Sequence, residues 1–212
     1  MLGFTLLFMR NLNVYDKGDM KLQYYKNLRF LSRLGDIVLS DIHIYQELNK
    51  HGLLYISGNI ILETTDKYMY EMVEGEPVSL ILLPEESKSG SVEKPKTIFN
   101  GFVQSAEIKQ CGNLFTVRLK AYSYTKMLDI RREYKSYQDI DITHENVILS
   151  DVAPYKAMVI NNDKQKDEPI GKFTLKFAET AWQFVNRIAS RHNYPLISDI
   201  KSDKIAFHVG NT

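Results

Sequence analysis

Cysteine is almost missing from this sequence: Cys111 is the single one in 212 residues. A lone thiol excludes an internal disulfide and a thiolate zinc site. Long apolar runs are missing too, since no stretch approaches the ~18 unbroken apolar residues of a membrane-spanning helix. Surplus charge of either sign is absent, with 27 Lys and Arg against 26 Asp and Glu. That balance argues against a dedicated binder of nucleic acid or anionic membrane, whose affinity rests on excess Lys and Arg. Neither a Gly-rich phosphate loop nor a G-x-S-x-G elbow occurs. What remains, at 44% apolar and 25% charged residues, is the composition of a soluble folded chain. Its length suffices for one large or two small domains with a core of their own.

Leu2, Phe4, Leu6, Leu7 and Phe8 form a short apolar run, and Arg10 comes after it. A secretory signal has the opposite order, basic residues first. Met20-Lys21-Leu22 offers a second plausible start, so residues 1–19 read either as a packed strand or as a loose end.

From residue 35 the apolar period is mostly two, the mark of strands. Asp41 to Tyr45 alternates, and Asn49-Lys50-His51-Gly52 marks a turn. Leu53 to Ile61 reads as a strand interrupted at Gly58-Asn59, and Val78 to Leu83 as another, ended by Pro84. Residues 85–96 have loop composition and read as a long hairpin connection. Ile98 to Ile108 and then Phe115, Val117, Leu119 and Ala121 predict a hairpin with one buried and one wet face. Such a series of strands implies a small antiparallel barrel or sandwich. Two helices come next. Thr143 caps the first, and Thr180 with Gln183 has the capping-box spacing for the second. Trp182, Val185, Ile188 and Ala189 make its buried stripe, with Trp182 expected between helix and sheet. Asn193 is a left-handed terminator, and Leu196-Ile197 and Ile205 to Val209 read as closing strands. The organisation expected is therefore an N-terminal extension over 1–32, a β-barrel over 33–135 with a long loop at 84–96, and a helix-containing segment over 136–212.

Several groupings imitate chemistry. His43, Glu47 and His51 are spaced for one helix face and a zinc ion, but the alternation around Ile42 and Ile44 makes that segment a strand. Glu71, Glu74 and Glu76, and Asp139, Asp141 and Glu145, lie in or beside turns, where solvated carboxylates are the ordinary explanation. Cys111 has only Lys109 near it and no base to make a thiolate. No catalytic, cofactor-binding or metal residues are nominated, and the chain reads as a non-enzyme. Arg118, Lys120, Lys126, Arg131, Arg132 and Lys135 interleave with Tyr122, Tyr124, Tyr134 and Tyr137, as in single-stranded nucleic-acid grooves. The alternative is an outer face covered by aromatic rings and long basic stems, which near-zero net charge favours.

Phe99-Asn100-Gly101-Phe102-Val103, Tyr122-Ser123-Tyr124, Met127-Leu128-Asp129 and Tyr137-Gln138 together resemble a pattern of tail hub proteins. Phe177-Ala178-Glu179-Thr180-Ala181-Trp182-Gln183-Phe184-Val185-Asn186-Arg187-Ile188-Ala189 is similar to their "Y-x-E-(T/S)-D-W-x-F-(L/I)-x-R-L-A" motif. These are the phage late-control protein D and VgrG-type hubs of contractile injection systems. The likeness runs over residues 33–210 and is most specific at 177–192. Ala181 departs from it by standing where the family usually has an acidic residue.

The resemblance implies a mainly β fold with a few helices, an antiparallel barrel of the tail-hub type with a small helix-plus-strands segment after it. It implies a structural baseplate hub that adapts the inner tube to the central spike, made in the bacterial cytoplasm and assembled into a phage tail or tail-like particle. Tube and spike proteins would be its partners, the full hub a homotrimer, and no small-molecule substrate, cofactor or membrane span would be needed. Family members continue into a second barrel, so a chain ending near Thr212 would be an N-terminal piece, and by itself a monomer or weak oligomer. Two other functions are compatible with the residues: a single-stranded nucleic-acid-binding barrel, and a tail-associated cell-wall hydrolase component.

Overall fold

The computed structural model describes residues 27–32, 37–60, 74–84, 94–112 and 114–210. The apolar run at 2–8, residues 1–19 as a whole, Glu71 and most of the loop at 84–96 lie outside the described residues. The fold is mainly β with a few helices, as expected, and divides into two units.

The first unit comprises the described residues up to Tyr45 and then Leu53–Tyr122. Its strands are β1 (Leu28–Leu31), β2 (Ile37–Tyr45), β3 (Leu53–Ile60), β4 (Pro77–Leu82), β5 (Lys96–Cys111) and β6 (Leu114–Ser123). They form one curled sheet, half of a barrel, in the order β1-β4-β5-β6-β3-β2. Period-two patterning decides which face is buried. Phe115, Val117, Leu119 and Ala121 of β6 point inward, and Leu54 and Ile56 of β3 lie opposite Ala121 and Leu119. The expected break at Gly58-Asn59 does not occur. Gly58 pairs with Val117 and Asn59 with Thr116, whose hydroxyl donates to Asn59 Oδ1 at 3.1 Å. Gly58 lacks a side chain because a Cβ there would press on the Val38 carbonyl, so the glycine permits the ladder rather than ending it. Gly101 of β5 has a similar reason: a Cβ would run into the Tyr122 carbonyl oxygen.

The second unit comprises Gln46–Gly52 and the chain from Ser123. After a 3-10 turn at Tyr124–Asp129 come β7 (Arg132–Tyr137), α1 (His144–Val152), β8 (Met158–Asn161), β9 (Thr174–Thr180), α2 (Ala181–Ser190), β10 (Leu196–Ser198) and β11 (Ala206–Val209). Strands β10, β11 and β8 make one sheet, its β11–β8 pair parallel, and β7 and β9 make a two-stranded ribbon. Both helix starts agree with the sequence. Thr143 Oγ1 accepts from the Asn146 amide, and Thr180 and Gln183 form a complete capping box. Asn193 has φ 61°, the left-handed geometry of a helix stop. Trp182, Val185, Ile188 and Ala189 are all buried, joined by Ala181 and Phe184. Phe184 is covered by Tyr137, whose ring stacks on it at 5.5 Å. The core runs on through Leu128, Val147, Ile148, Leu196 and Phe207.

Candidate functional site: the β7–β9 ribbon

The ribbon separates apolar from ionic side chains by face. In register, Tyr134 lies opposite Phe177 and Ser136 opposite Leu175. These point outward, with Tyr134 69% and Phe177 66% exposed and their rings edge to face at 5.1 Å. Leu175 (44%) of β9 and Phe173 (56%), just before the strand, extend the strip. A bulge interrupts the pairing, since Tyr134 pairs with Phe177 but Glu133 with Glu179. Ala178 is the extra residue and carries φ 51°. Its insertion reverses the inside–outside parity of the rest of the strand. Glu179, which strict alternation would place beside Phe177, turns inward to Arg187 of α2, with oxygen–nitrogen distances of 2.6 and 2.8 Å. The same guanidinium donates to the Leu175 carbonyl at 2.7 Å.

Beneath the ribbon lies Lys176, wholly buried. Its ammonium donates to both Asp151 oxygens, at 2.9 and 3.1 Å, and to Glu133 at 2.9 Å. Burial alone would discourage its charge, but the hydrogen bonds to the two carboxylates outweigh that and hold it above the ordinary lysine value. Glu133 also takes Arg131 at 2.6 Å and is held low, with Lys176 the larger cause. Asp151, fully buried on α1, is pushed up by burial despite its ammonium. The two carboxylates that share the ammonium are thus shifted in opposite directions. Tyr137 donates to Asp151 at 3.3 Å, and burial raises its phenol above the usual range.

Two further polar clusters belong to the second unit. Asp129 accepts from Thr180 (2.6 Å) and Lys126 (3.1 Å) and pairs with His51 Nε2 (2.8 Å). These contacts overcome burial and hold its carboxyl well below the usual range. His51 also lies on the Trp182 ring, centroids 4.6 Å apart. In the other cluster His144 and His192 are 4.2 Å apart between ring centroids, and His192 Nδ1 pairs with buried Asp163 at 2.7 Å. His144 Nδ1 is buried without a hydrogen-bond partner. Burial first, then the charges of His192 and Arg191, hold its imidazole below the ordinary value.

The residues singled out in the sequence go to separate duties. His43 stacks on Tyr45, Glu47 pairs with Lys50 at 2.6 Å, and His51 pairs with Asp129. Glu74 accepts from Gln104. Asp139 accepts from the Asp141 amide, and Glu145 faces Lys166 at 3.6 Å. Cys111 is the last residue of β5. The basic series is spread over several elements: Lys120 sits over the Tyr55 and Tyr122 rings, Lys126 pairs with Asp129, Arg131 with Glu133, and Lys135 reaches Ser150. Sequence reasoning does not reach Lys176 and Asp151, the most deeply placed charges among the described residues. A single Lys in the alternating run Thr174-Leu175-Lys176-Phe177 reads as a solvent-facing residue, so its period suggests the wrong face.

No protein-family model and no curated protein sequence matches the chain. Solved structures do. The 43 kDa tail protein of prophage MuSo2 from Shewanella oneidensis superposes with a TM-score of 0.65 at 13% identity, over 87% of this chain and 53% of its own. The tail protein from Neisseria meningitidis MC58 gives 0.59 at 13%, over 87% and 50%. An Escherichia coli component of the type VI secretion system, described as structurally similar to the bacteriophage T4 tail proteins gp27 and gp5, gives 0.53 at 10%, over 85% and 48%. The chain therefore has the fold of these tail proteins and spans about half of their length.

Proposed function

We propose that this chain is a structural component of a phage tail or of a tail-like contractile injection system, and that within it the chain serves as a baseplate hub joining inner tube to central spike. The observation that carries the reading is the shared fold, which extends over both units and 87% of the chain. The helix motif at 177–189, on which the resemblance is most specific, builds the capped and buried α2 that anchors the second unit. An exposed aromatic ribbon over an ion-paired interior also suits a rigid scaffold that works through its surface. The complete hub would be a homotrimer, with tube and spike proteins as partners.

Interrupting the gene and imaging particles from the same cells tests the proposal. Complete tails should vanish and return when the chain is supplied from a plasmid. Normal tails without the gene would overturn it.

A further inference from the structure

Resting on that reading, we infer that the outer face of the β7–β9 ribbon docks a different protein, one whose surface is apolar at its centre and acidic at its rim. The ribbon's outer face combines Tyr134, Phe177, Leu175 and neighbouring Phe173; exposed Arg132 flanks one end of the ribbon, and exposed Lys172 precedes β9 at the other. β7 and β9 contain two carboxylates, Glu133 and Glu179. Both are turned to the inner side, where Lys176, Arg131 and Arg187 hold them. The parity reversal at Ala178 is what removes Glu179 from the strip, so the outer face is left apolar and cationic.

Size and charge together select the occupant. The four apolar side chains expose about 400 Å² on ordinary side-chain areas. That is roughly half of the ~800 Å² each partner contributes to a standard interface, and enough for its apolar centre. A second copy presenting the same strip would bring Arg132 and Lys172 against the same cations. Opposed like charges at a rim disfavour that pairing and favour a carboxylate-bearing partner.

The test complements the interrupted gene with variants of the full chain. Tyr134→Ser with Phe177→Ser should melt within a few degrees of wild type, because both side chains are exposed, yet enter particles roughly tenfold less. Arg132→Glu with Lys172→Glu should show a similar loss, whereas Arg132→Lys with Lys172→Arg should assemble normally. Normal incorporation of either disruptive pair, with the wild-type chain restoring tails, overturns this inference and leaves the tail function standing. Tails that never depended on the gene overturn both. Light scattering on the purified chain decides the occupant: self-association abolished by Phe177→Ser would show that a second copy fills the strip, against the inference.

Discussion

Trp182 donates its indole N–H to the carbonyl oxygen of Asn49 at 3.1 Å, across 133 residues of chain. Asn49 holds φ 64°, a geometry asparagine tolerates better than most residues. It also binds Leu196 twice: its amide donates to the Leu196 carbonyl, and its Oδ1 accepts from the Leu196 amide, both at 2.8 Å. One turn residue thereby ties helix α2 to strand β10.

Trp182→Ala should cost about 3–5 kcal/mol, the usual loss for a core aromatic. Trp182→Phe keeps most of the burial and loses the hydrogen bond, for about 1–2 kcal/mol. Urea titrations give both numbers, and native fluorescence should be blue-shifted. Emission at the position of solvated tryptophan would contradict the packing against His51 and Phe207.

Ala178 is an alanine in left-handed backbone. Ala178→Gly should raise stability by up to about 1 kcal/mol, and Ala178→Val should lower it by more than that. A thermal scan of the two variants is sufficient. The bulge geometry is wrong if valine is tolerated as well as glycine.

Lys176→Met leaves Asp151 buried without its cation, which should cost about 3–5 kcal/mol near neutral pH. Because burial already pushes Asp151 up, acidification should shrink that deficit as the carboxyl takes a proton. Adding Asp151→Asn should recover most of the loss at pH 7. If single and double variants unfold at the same denaturant concentration at every pH, the charges are not coupled as described.

His144 gives an acid-sensitive step. Its folded-state pKa lies below the unfolded value of 6.5, so the unfolded chain binds more protons as pH falls. Its contribution is fully present above pH 6.5 and declines as pH drops through the unfolded value towards the folded one. Its place in the first turn of α1 adds to the effect, since a helix N-terminus repels a cation. Urea midpoints at several pH values between neutrality and mild acid should fall for wild type and stay nearly level for His144→Gln. An equally steep decline in the variant would assign the step to other groups. Asp129 acts in the same sense but far lower in pH. Its depressed carboxyl stabilises the fold above its unfolded value of 3.8, and that gain is lost only as pH falls below it.

The legible parts of this fold are those where local pattern and tertiary need agree. Phe115 to Ala121 alternates because one face of β6 is buried and the other wet, and Thr180 with Gln183 announces α2 by satisfying its first amides. Strand β7 is hidden because it turns the Tyr134 ring outward and the Glu133 carboxylate inward to Lys176, the inverse of the usual pattern. β9 is hidden for the same reason at Lys176, compounded by the parity change at Ala178. The ionic centres cannot be read because their members are far apart in sequence: 78 residues separate His51 from Asp129, and 25 separate Asp151 from Lys176. Separation of that size carries no local signal.

The grouping of Gln46–Gly52 with the second unit has a kinetic consequence. These seven residues are synthesised well before Trp182 and Leu196, yet Asn49 supplies the acceptor for one and both partners for the other. Closing so long a loop must precede the reward of those contacts, which slows folding. A turn released early from the ribosome therefore waits for Trp182 and Leu196 before the second unit is complete. A chain begun after Gly52 would fold that unit with the Trp182 indole and the Leu196 backbone lacking the groups that Asn49 provides.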